Sequence, residues 1–346
     1  SESLTLGAGA PLVPYEGATW SQLISHNFGF NDAVKTMTLY VSEDNPYMYA
    51  DEYGNLIRKS DNKALYFTMN APDEDCVYIS DTITGVADEE GVAQSLQGAT
   101  GWSDSVTKLY IGASFAQIEG LQPYIYTNFI TEITVSADNP YYDERDNIVY
   151  TEGFESIVLI PFTLNVDELV LPAQLKEIPE AAFRFSSGNS DDYPVGDLWG
   201  GDGSSGVYPI PYIGKLSVEE GSQLTSIGDY AFANDWSDNA ARVASIDFTN
   251  ATNLDYIGVY AFGWNEALTT AALPGVREIA YGAMSQNTSL TSLTLGEGVE
   301  EIGEYAFAGS YLLTSLDLPD SVRVIGYQAF SNSGILNDVY IDYDKN

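Results

Sequence analysis

Between residues 290 and 341 the apolar and polar positions follow one scheme, written three times. "LTSLTL" at 290–295, "LTSLDL" at 313–318 and "LNDVYI" at 336–341 each place apolar residues first, fourth and sixth. The last four residues of each run alternate with period two, the pattern of a strand with one buried face. "VDELVL" at 166–171, "IGKLSV" at 213–218 and "VASIDF" at 243–248 keep the spacing upstream. Between these runs stands a second pattern, Ile-Gly-x-x-Ala-Phe. It occurs in "SIGDYAFAND" at 226–235, "YIGVYAFGWN" at 256–265, "EIGEYAFAGS" at 301–310 and "VIGYQAFSNS" at 324–333. Ile257, Ile279, Ile302 and Ile325 lie 22, 23 and 23 residues apart.

A single short strand cannot bury its apolar face, so the copies must stack in parallel, one strand per coil. The spacing predicts strands centred on Met37, Val77, Leu109, Ile133, Leu169, Leu216, Ile246, Ala271, Leu293, Leu316 and Val339. The hexapeptide is then the back wall of each coil. Its Gly permits a tight bend after the inward Ile, its Ala lets a short helical turn approach closely, and its Phe fills the space between layers. Phe183, Phe232, Phe262, Phe307 and Phe330 are expected to form one ladder, with Met284 in the equivalent slot of the repeat that starts at Ile279. Two longer units, 41–67 and 135–161, both read Asp-Asn-Pro-Tyr and then two strand-like pieces; each is expected to be a β-hairpin that replaces the usual back wall.

The stretch "LTSLDLPDSVRVIGYQAFSNSG" resembles the BspA-like class of bacterial leucine-rich repeat, and "DNPYYDERDNIVYTEGFESIVLIP" resembles that family's long hairpin variant. The resemblance extends over roughly 36–343 and is most specific over 133–183 and 213–341. Where the family usually ends its "AF" turn with a small residue and Cys, this chain has Ala308-Gly309, Ser331-Asn332 and Gly263-Trp264, so a cysteine ladder is absent. The expected fold is a mainly β or α/β solenoid. It is a right-handed leucine-rich-repeat array with a parallel concave sheet, short helical or irregular convex turns and β-hairpin insertions. Residues 1–35 carry no repeat signature and are expected to cap the array; 36–346 form the solenoid, with a long insertion near 186–212. The resemblance implies a secreted or surface-anchored bacterial protein, often an adhesin or host-protein binder, and supplies no catalytic residue.

Charge narrows the class of partner. Fifty acids against thirteen bases give a formal charge of −37, a field that repels phosphate backbones and anionic lipid surfaces. Neither nucleic-acid binding nor electrostatic membrane docking is expected; cationic partners suit the charge, and a monomer is expected. No run reaches the ~18 apolar residues of a membrane-spanning helix, and the chain opens without a basic start and apolar stretch, so an export signal is expected to have been removed. Cys76 is the single cysteine and His26 the single histidine, which rules out an intrachain disulfide, a cysteine zinc cluster and a two-histidine metal site. Gly-x-Ser-x-Gly and phosphate-loop motifs are missing. A carboxylate pair could cut glycosides, but with fifty acids chance pairs are inevitable.

The candidate binding chemistry is aromatic. The insertion mixes Gly and Ser with Tyr193, Trp199, Tyr208 and Tyr212 and adds Asp191 and Asp192, the composition of adaptable binding loops. On the outward side of the predicted sheet, Tyr110 and Tyr340 are the aromatics, and the C-terminal half is small and hydroxylated. Asp342, Asp344 and Asn346 open like a calcium loop but lack its Gly and closing Glu. No cofactor is implied, and calcium is left only as a surface ligand of clustered carboxylates. The expected role is a non-enzymatic surface module that binds an extracellular protein or glycan. The alternatives are an architectural spacer in a larger surface assembly and a glycan-active enzyme.

Overall fold

The computed structural model describes residues 3–8, 38–66, 75–86, 107–117, 130–161, 164–183, 212–234 and 242–334. They fall into two compact units, one of Ser1–Glu152 with Pro161–Thr163 and one of Gly153–Ile160 with Leu164–Asn346. His26, Met37, Trp236 and Val339 lie outside the described residues.

The first unit holds β1 (Ser3–Leu6), β2 (Thr38–Val41), β3 (Met48–Ala50), β4 (Leu56–Arg58), β5 (Lys63–Tyr66), β6 (Cys76–Ile79), β7 (Gly85–Val86), β8 (Lys108–Ile111), β9 (Glu132–Val135), β10 (Tyr142–Arg145) and β11 (Ile148–Thr151). β1 pairs with β2 in parallel. β6, β8 and β9 form a parallel sheet in the register Val77↔Leu109↔Ile133, so three predicted strand centres stand side by side. Both Asp-Asn-Pro-Tyr turns lead into antiparallel hairpins, β3–β4–β5 and β10–β11. β5 then pairs in parallel with the two-residue strand β7, so this hairpin supplies back wall, as its position in the repeat requires.

The Asn of each such turn sets the geometry. Asn139 is buried; its amide donates to the carbonyls of Gly112 (2.8 Å) and Phe115 (3.0 Å), and its oxygen accepts from the backbone of Tyr141 (2.8 Å) and Tyr142 (3.1 Å). Asn45 repeats the scheme, donating to Gly7 and accepting from Tyr47 and Met48.

The second unit holds β12 (Ile157–Leu159), β13 (Asn165–Leu171), β14 (Glu177–Ile178), β15 (Tyr212–Val218), β16 (Ser226–Ile227), β17 (Arg242–Val243), β18 (Ser245–Asp247), β19 (Tyr256–Ile257), β20 (Thr270–Leu273), β21 (Glu278–Ile279), β22 (Ser292–Leu295), β23 (Glu301–Ile302) and β24 (Val324–Ile325). Two parallel columns run through it. The front sheet is β13-β15-β18-β20-β22, and the back sheet is β14-β16-β19-β21-β23-β24. In the back sheet the isoleucines of the hexapeptide pair in unbroken register, Ile178↔Ile227↔Ile257↔Ile279↔Ile302↔Ile325. Phe183 stacks on Phe232 (ring centroids 4.4 Å), Phe232 on Phe262 (4.9 Å) and Phe307 on Phe330 (5.4 Å). Met284 is fully buried in the intervening coil, where its flexible thioether replaces a ring.

The back turns are irregular rather than helical; among the described residues the one helical piece is a 3-10 turn at Glu152–Phe154. Backbone bonds zip the turns coil to coil. Tyr305, Phe307 and Gly309 donate to the carbonyls of Tyr327, Ala329 and Ser331 at 3.1, 2.8 and 2.8 Å, and the sets starting at Tyr230, Tyr260 and Gly282 repeat this. Each turn carries a residue in the left-handed region just before its Ala: Ala181, Tyr230, Tyr260, Gly282, Tyr305 and Gln328, with φ between 50° and 59°.

Two expectations change. The Gly after each Ile is required by close approach rather than by a bend. A Cβ on Gly228 would lie 2.5 Å from the backbone nitrogen of Glu180, and one on Gly303 would lie 2.7 Å from the carbonyl carbon of Ala280, each in the preceding coil. None of Gly228, Gly258, Gly303 and Gly326 has positive φ. Leu316 is not in a strand. With no further described strand on its outer side it is half-buried, and Leu318 is exposed, so this run lacks the burial that holds the others in the ladder.

Candidate functional site

The outward row of the β6–β8–β9 sheet is aromatic at two successive strands. Tyr78 and Tyr110 pair in register, with ring centroids 4.4 Å apart and planes 21° apart. Tyr53 stacks on the other face of Tyr78 at 4.6 Å. Its loop is fixed by Asp51 and Asn55: Asp51 accepts from the backbone of Tyr53 and Asn55, and the Asn55 amide donates to Asp51 and to the Tyr78 carbonyl, both at 2.9 Å. The row thus consists of three rings stacked face to face. Burial, and after it the charge of Glu52, pushes the Tyr53 phenol above its ordinary value, so it stays a neutral donor. Tyr110 donates its hydroxyl to Asp81 at 3.2 Å, and the same carboxylate holds the Ala113 amide at 2.8 Å.

Beyond Tyr110 the next residue in the row is Thr134, short and exposed. The row thus steps down from Tyr110 to a short residue, with exposed Glu132 two positions away on β9. An aromatic face beside a hydroxyl and a carboxylate suits a sugar ring or a cationic side chain. Lys108, the nearest cation on β8, lies 3.5 Å from Asp75.

The front sheet of the second unit is different. Lys215 bridges Glu168 and Asp247 at 3.2 Å each, so three strands spend their charges on one another. The Thr249 hydroxyl, and after it Lys215, holds the Asp247 carboxyl below its usual range. Further along the sheet stand only Thr270, Ala272, Ser292 and Thr294, paired Thr270↔Ser292 and Ala272↔Thr294. Beyond Tyr212 at the start of β15, this face offers no large anchor among the described residues.

Of the residues singled out in the sequence, Asp191, Asp192, Tyr193, Trp199, Tyr208 and Tyr340 lie outside the described residues. So do Asp342, Asp344 and Asn346. Tyr212 opens β15, exposed, paired with Asn165 and Arg242. Tyr110 is not alone on its sheet face: Tyr78 and Tyr53 join it. Tyr78 was legible, because "CVYI" at 76–79 copies the pattern of "KLYI" at 108–111; Tyr53 arrives through a loop and left no periodic signal. Among the described residues no group of three or more His, Cys, Asp or Glu could hold a metal ion, and no helix is long and apolar enough to cross a membrane.

A second aromatic array lines the back wall. Tyr230, Tyr260, Tyr281, Tyr305 and Tyr327 follow one another over five coils at centroid distances of 5.7, 5.4, 5.5 and 5.8 Å, and Trp264 packs on Tyr260 at 4.7 Å. Burial, and after it a hydrogen bond with Tyr281, pushes the Tyr260 phenol up to about 12.

Comparison with curated proteins gives no match. Among solved structures, a leucine-rich repeat protein from Eubacterium ventriosum is 15% identical, covering 99% of this chain and 93% of its own, with a TM-score of 0.41. The pneumococcal vaccine antigen PcpA is 14% identical over 84% of this chain and 80% of its own, with a TM-score of 0.35. A leucine rich cell surface protein from Faecalibacterium prausnitzii is 17% identical over 56% of this chain and 52% of its own, with a TM-score of 0.30. Residues 225–345 match the family model of the BspA type leucine rich repeat region in 6 copies. The zipped coils of the second unit carry that match, and the repeats within 225–345 are BspA type leucine-rich repeats.

Proposed function

We propose that this chain is a non-enzymatic recognition module of a bacterial surface, binding an extracellular protein or glycan. The reading takes the coils as a right-handed solenoid with the front sheets concave, and residues 1–35 as its cap. The observation that carries it is the stacked Tyr53–Tyr78–Tyr110 row, with exposed Thr134 and Glu132 on the next strand. Stacked repeats present such surfaces without any catalytic apparatus, and tyrosines are favoured anchors of binding surfaces. The 186–212 insertion, with Trp199 and Tyr208, is the second contact of the same reading, and the repeat type supports a secreted or surface location.

The test is capture from extracellular material and on glycan arrays by the whole chain, by Tyr78→Ala/Tyr110→Ala and by Trp199→Ala/Tyr208→Ala. The reading expects a specific ligand whose capture falls in at least one double variant. A ligand held equally by all three forms contradicts aromatic recognition. No ligand at all leaves the architectural spacer as the better account, and turnover of an array glycan would establish the enzymatic one.

A further inference from the structure

The tyrosines of the back wall differ from the front row in how their rings meet. Tyr260 and Tyr281 cross at 84°, Tyr305 and Tyr327 at 82°, and the intervening pair Tyr281 and Tyr305 at 58°. Two perpendicular rings cannot both face along the row, so at least one ring of each crossed pair turns its faces sideways, out of the row. Tyr281 and Tyr327 are the exposed members, at 40% and 64%. Their side of the molecule is acidic. Glu300, Glu301 and Glu304 are exposed on the coil that carries Tyr305, and no cation lies within ion-pair distance of them among the described residues. Arg277, in the preceding coil, is held by Asp255 at 2.7 Å and Glu278 at 3.4 Å and also feels the charge of Glu300, which leaves Glu301 and Glu304 as the carboxylates without a described cation. Arg323 on the next coil is the counterweight, three carboxylates to one guanidinium.

An exposed tyrosine ring beside carboxylates such as Glu301 and Glu304 favours a cation, and favours a planar guanidinium over an ammonium, because only the former stacks on the ring while bonding the carboxylate. A second copy of this chain is a poor occupant, since each carries a formal charge of −37. We propose that the back-wall ridge Tyr281–Tyr305–Tyr327, with Glu301 and Glu304, docks an arginine-bearing segment of a partner protein. This ridge shares no residue with the Tyr53–Tyr78–Tyr110 row, so either reading can fail alone.

The test measures binding of a fluorescent nona-arginine peptide by anisotropy, with nona-lysine as comparison, at salt high enough to screen the net charge. The whole chain is compared with Tyr281→Ser/Tyr327→Ser, with Glu301→Gln/Glu304→Gln, and with Glu43→Gln/Asp44→Asn, a charge-matched change on the first unit. Urea midpoints establish that each variant is folded. The expected result is stronger binding of nona-arginine than nona-lysine. Affinity should fall about tenfold in the tyrosine variant, the sum of two exposed cation–π contacts, fall in the Glu301/Glu304 variant, and hold in the Glu43/Asp44 variant. Equal loss in both charge variants with none in the tyrosine variant means bulk attraction and overturns the proposal, as does equal affinity for the two peptides. If Tyr281→Ser/Tyr327→Ser does not fold, Tyr327→Ser alone, on the last described back strand's coil, carries the test, and unchanged affinity there overturns it.

Discussion

At single positions the coils are held by what is missing as much as by what is present. Gly228 and Gly303 sit where a Cβ would strike the backbone one coil back, whereas Ala280 occupies the same slot of its own coil with its methyl buried. Gly303→Ala should therefore lower stability by about 1–3 kcal/mol, the cost of overpacking, seen as a lower urea midpoint at unchanged slope. The left-handed residue before each Ala gives a second contrast. Ala181, at φ 54°, bears a strain of about 1–2 kcal/mol that glycine relieves, while Ala280 does not have positive φ, and Ala280→Gly should cost about 0.4–1 kcal/mol through the unfolded chain. Ala181→Gly is expected to raise the urea midpoint and Ala280→Gly to lower it; shifts of the same sign contradict the assignment. Tyr260 adds a pH dependence. Its phenol ionises near 10 when unfolded and at about 12 when folded. Between those values the unfolded chain gives up its proton first, so stability falls as pH rises from 10 to 12. Tyr260→Phe should flatten that alkaline slope in melts taken at successive pH values.

The hairpin units are organised by one buried side chain each. Asn139→Ala removes the partner of two carbonyls and two backbone N–H groups together. It should cost at least ~1–3 kcal/mol, the range for stranding buried polar groups, while Asp138→Asn, one residue away and exposed, leaves the thermal midpoint unchanged. The sequence showed these units as a turn followed by strands, because Asn-Pro and period-two alternation are local signals. It did not show why Asn rather than Asp stands there, since that depends on carbonyls 24 and 27 residues away. The same divide runs through the back wall. The Ile and Phe spacing announces the ladder, and a buried polar column three residues after the rungs is a fainter period of the same wall. Asn265 donates to the Phe232 carbonyl (2.7 Å) and takes the Val243 amide (2.9 Å), and Asn287 takes the Asn265 amide (2.9 Å). Asn265, Asn287, Ser310 and Ser333 follow Phe262, Met284, Phe307 and Phe330 at that offset, so the signal was in the chain. Of the candidate site, Tyr110 was visible as an outward neighbour of a strand centre. The stacking of Tyr53 was not, because a loop tip has no period.

Across the second unit, each coil's back turn is tied to the next by the same few backbone bonds, so its stability is a sum of coil and neighbour terms rather than the property of one central core. Surfaces on such an array are rows of residues one coil apart, and Tyr78–Tyr110 and the back-wall tyrosines have that form. The claim beneath all of this is the coil-to-coil zipper, and amide hydrogen exchange reads it directly. The amides of Phe183, Phe232, Phe262, Met284 and Phe307 each donate to an alanine carbonyl of the following coil at 2.7 or 2.8 Å. They should exchange slowly as a set, and Gly303→Ala should speed exchange most in the coils that touch it. Rapid exchange at those five amides, or a uniform rise throughout the unit on Gly303→Ala, would contradict the account.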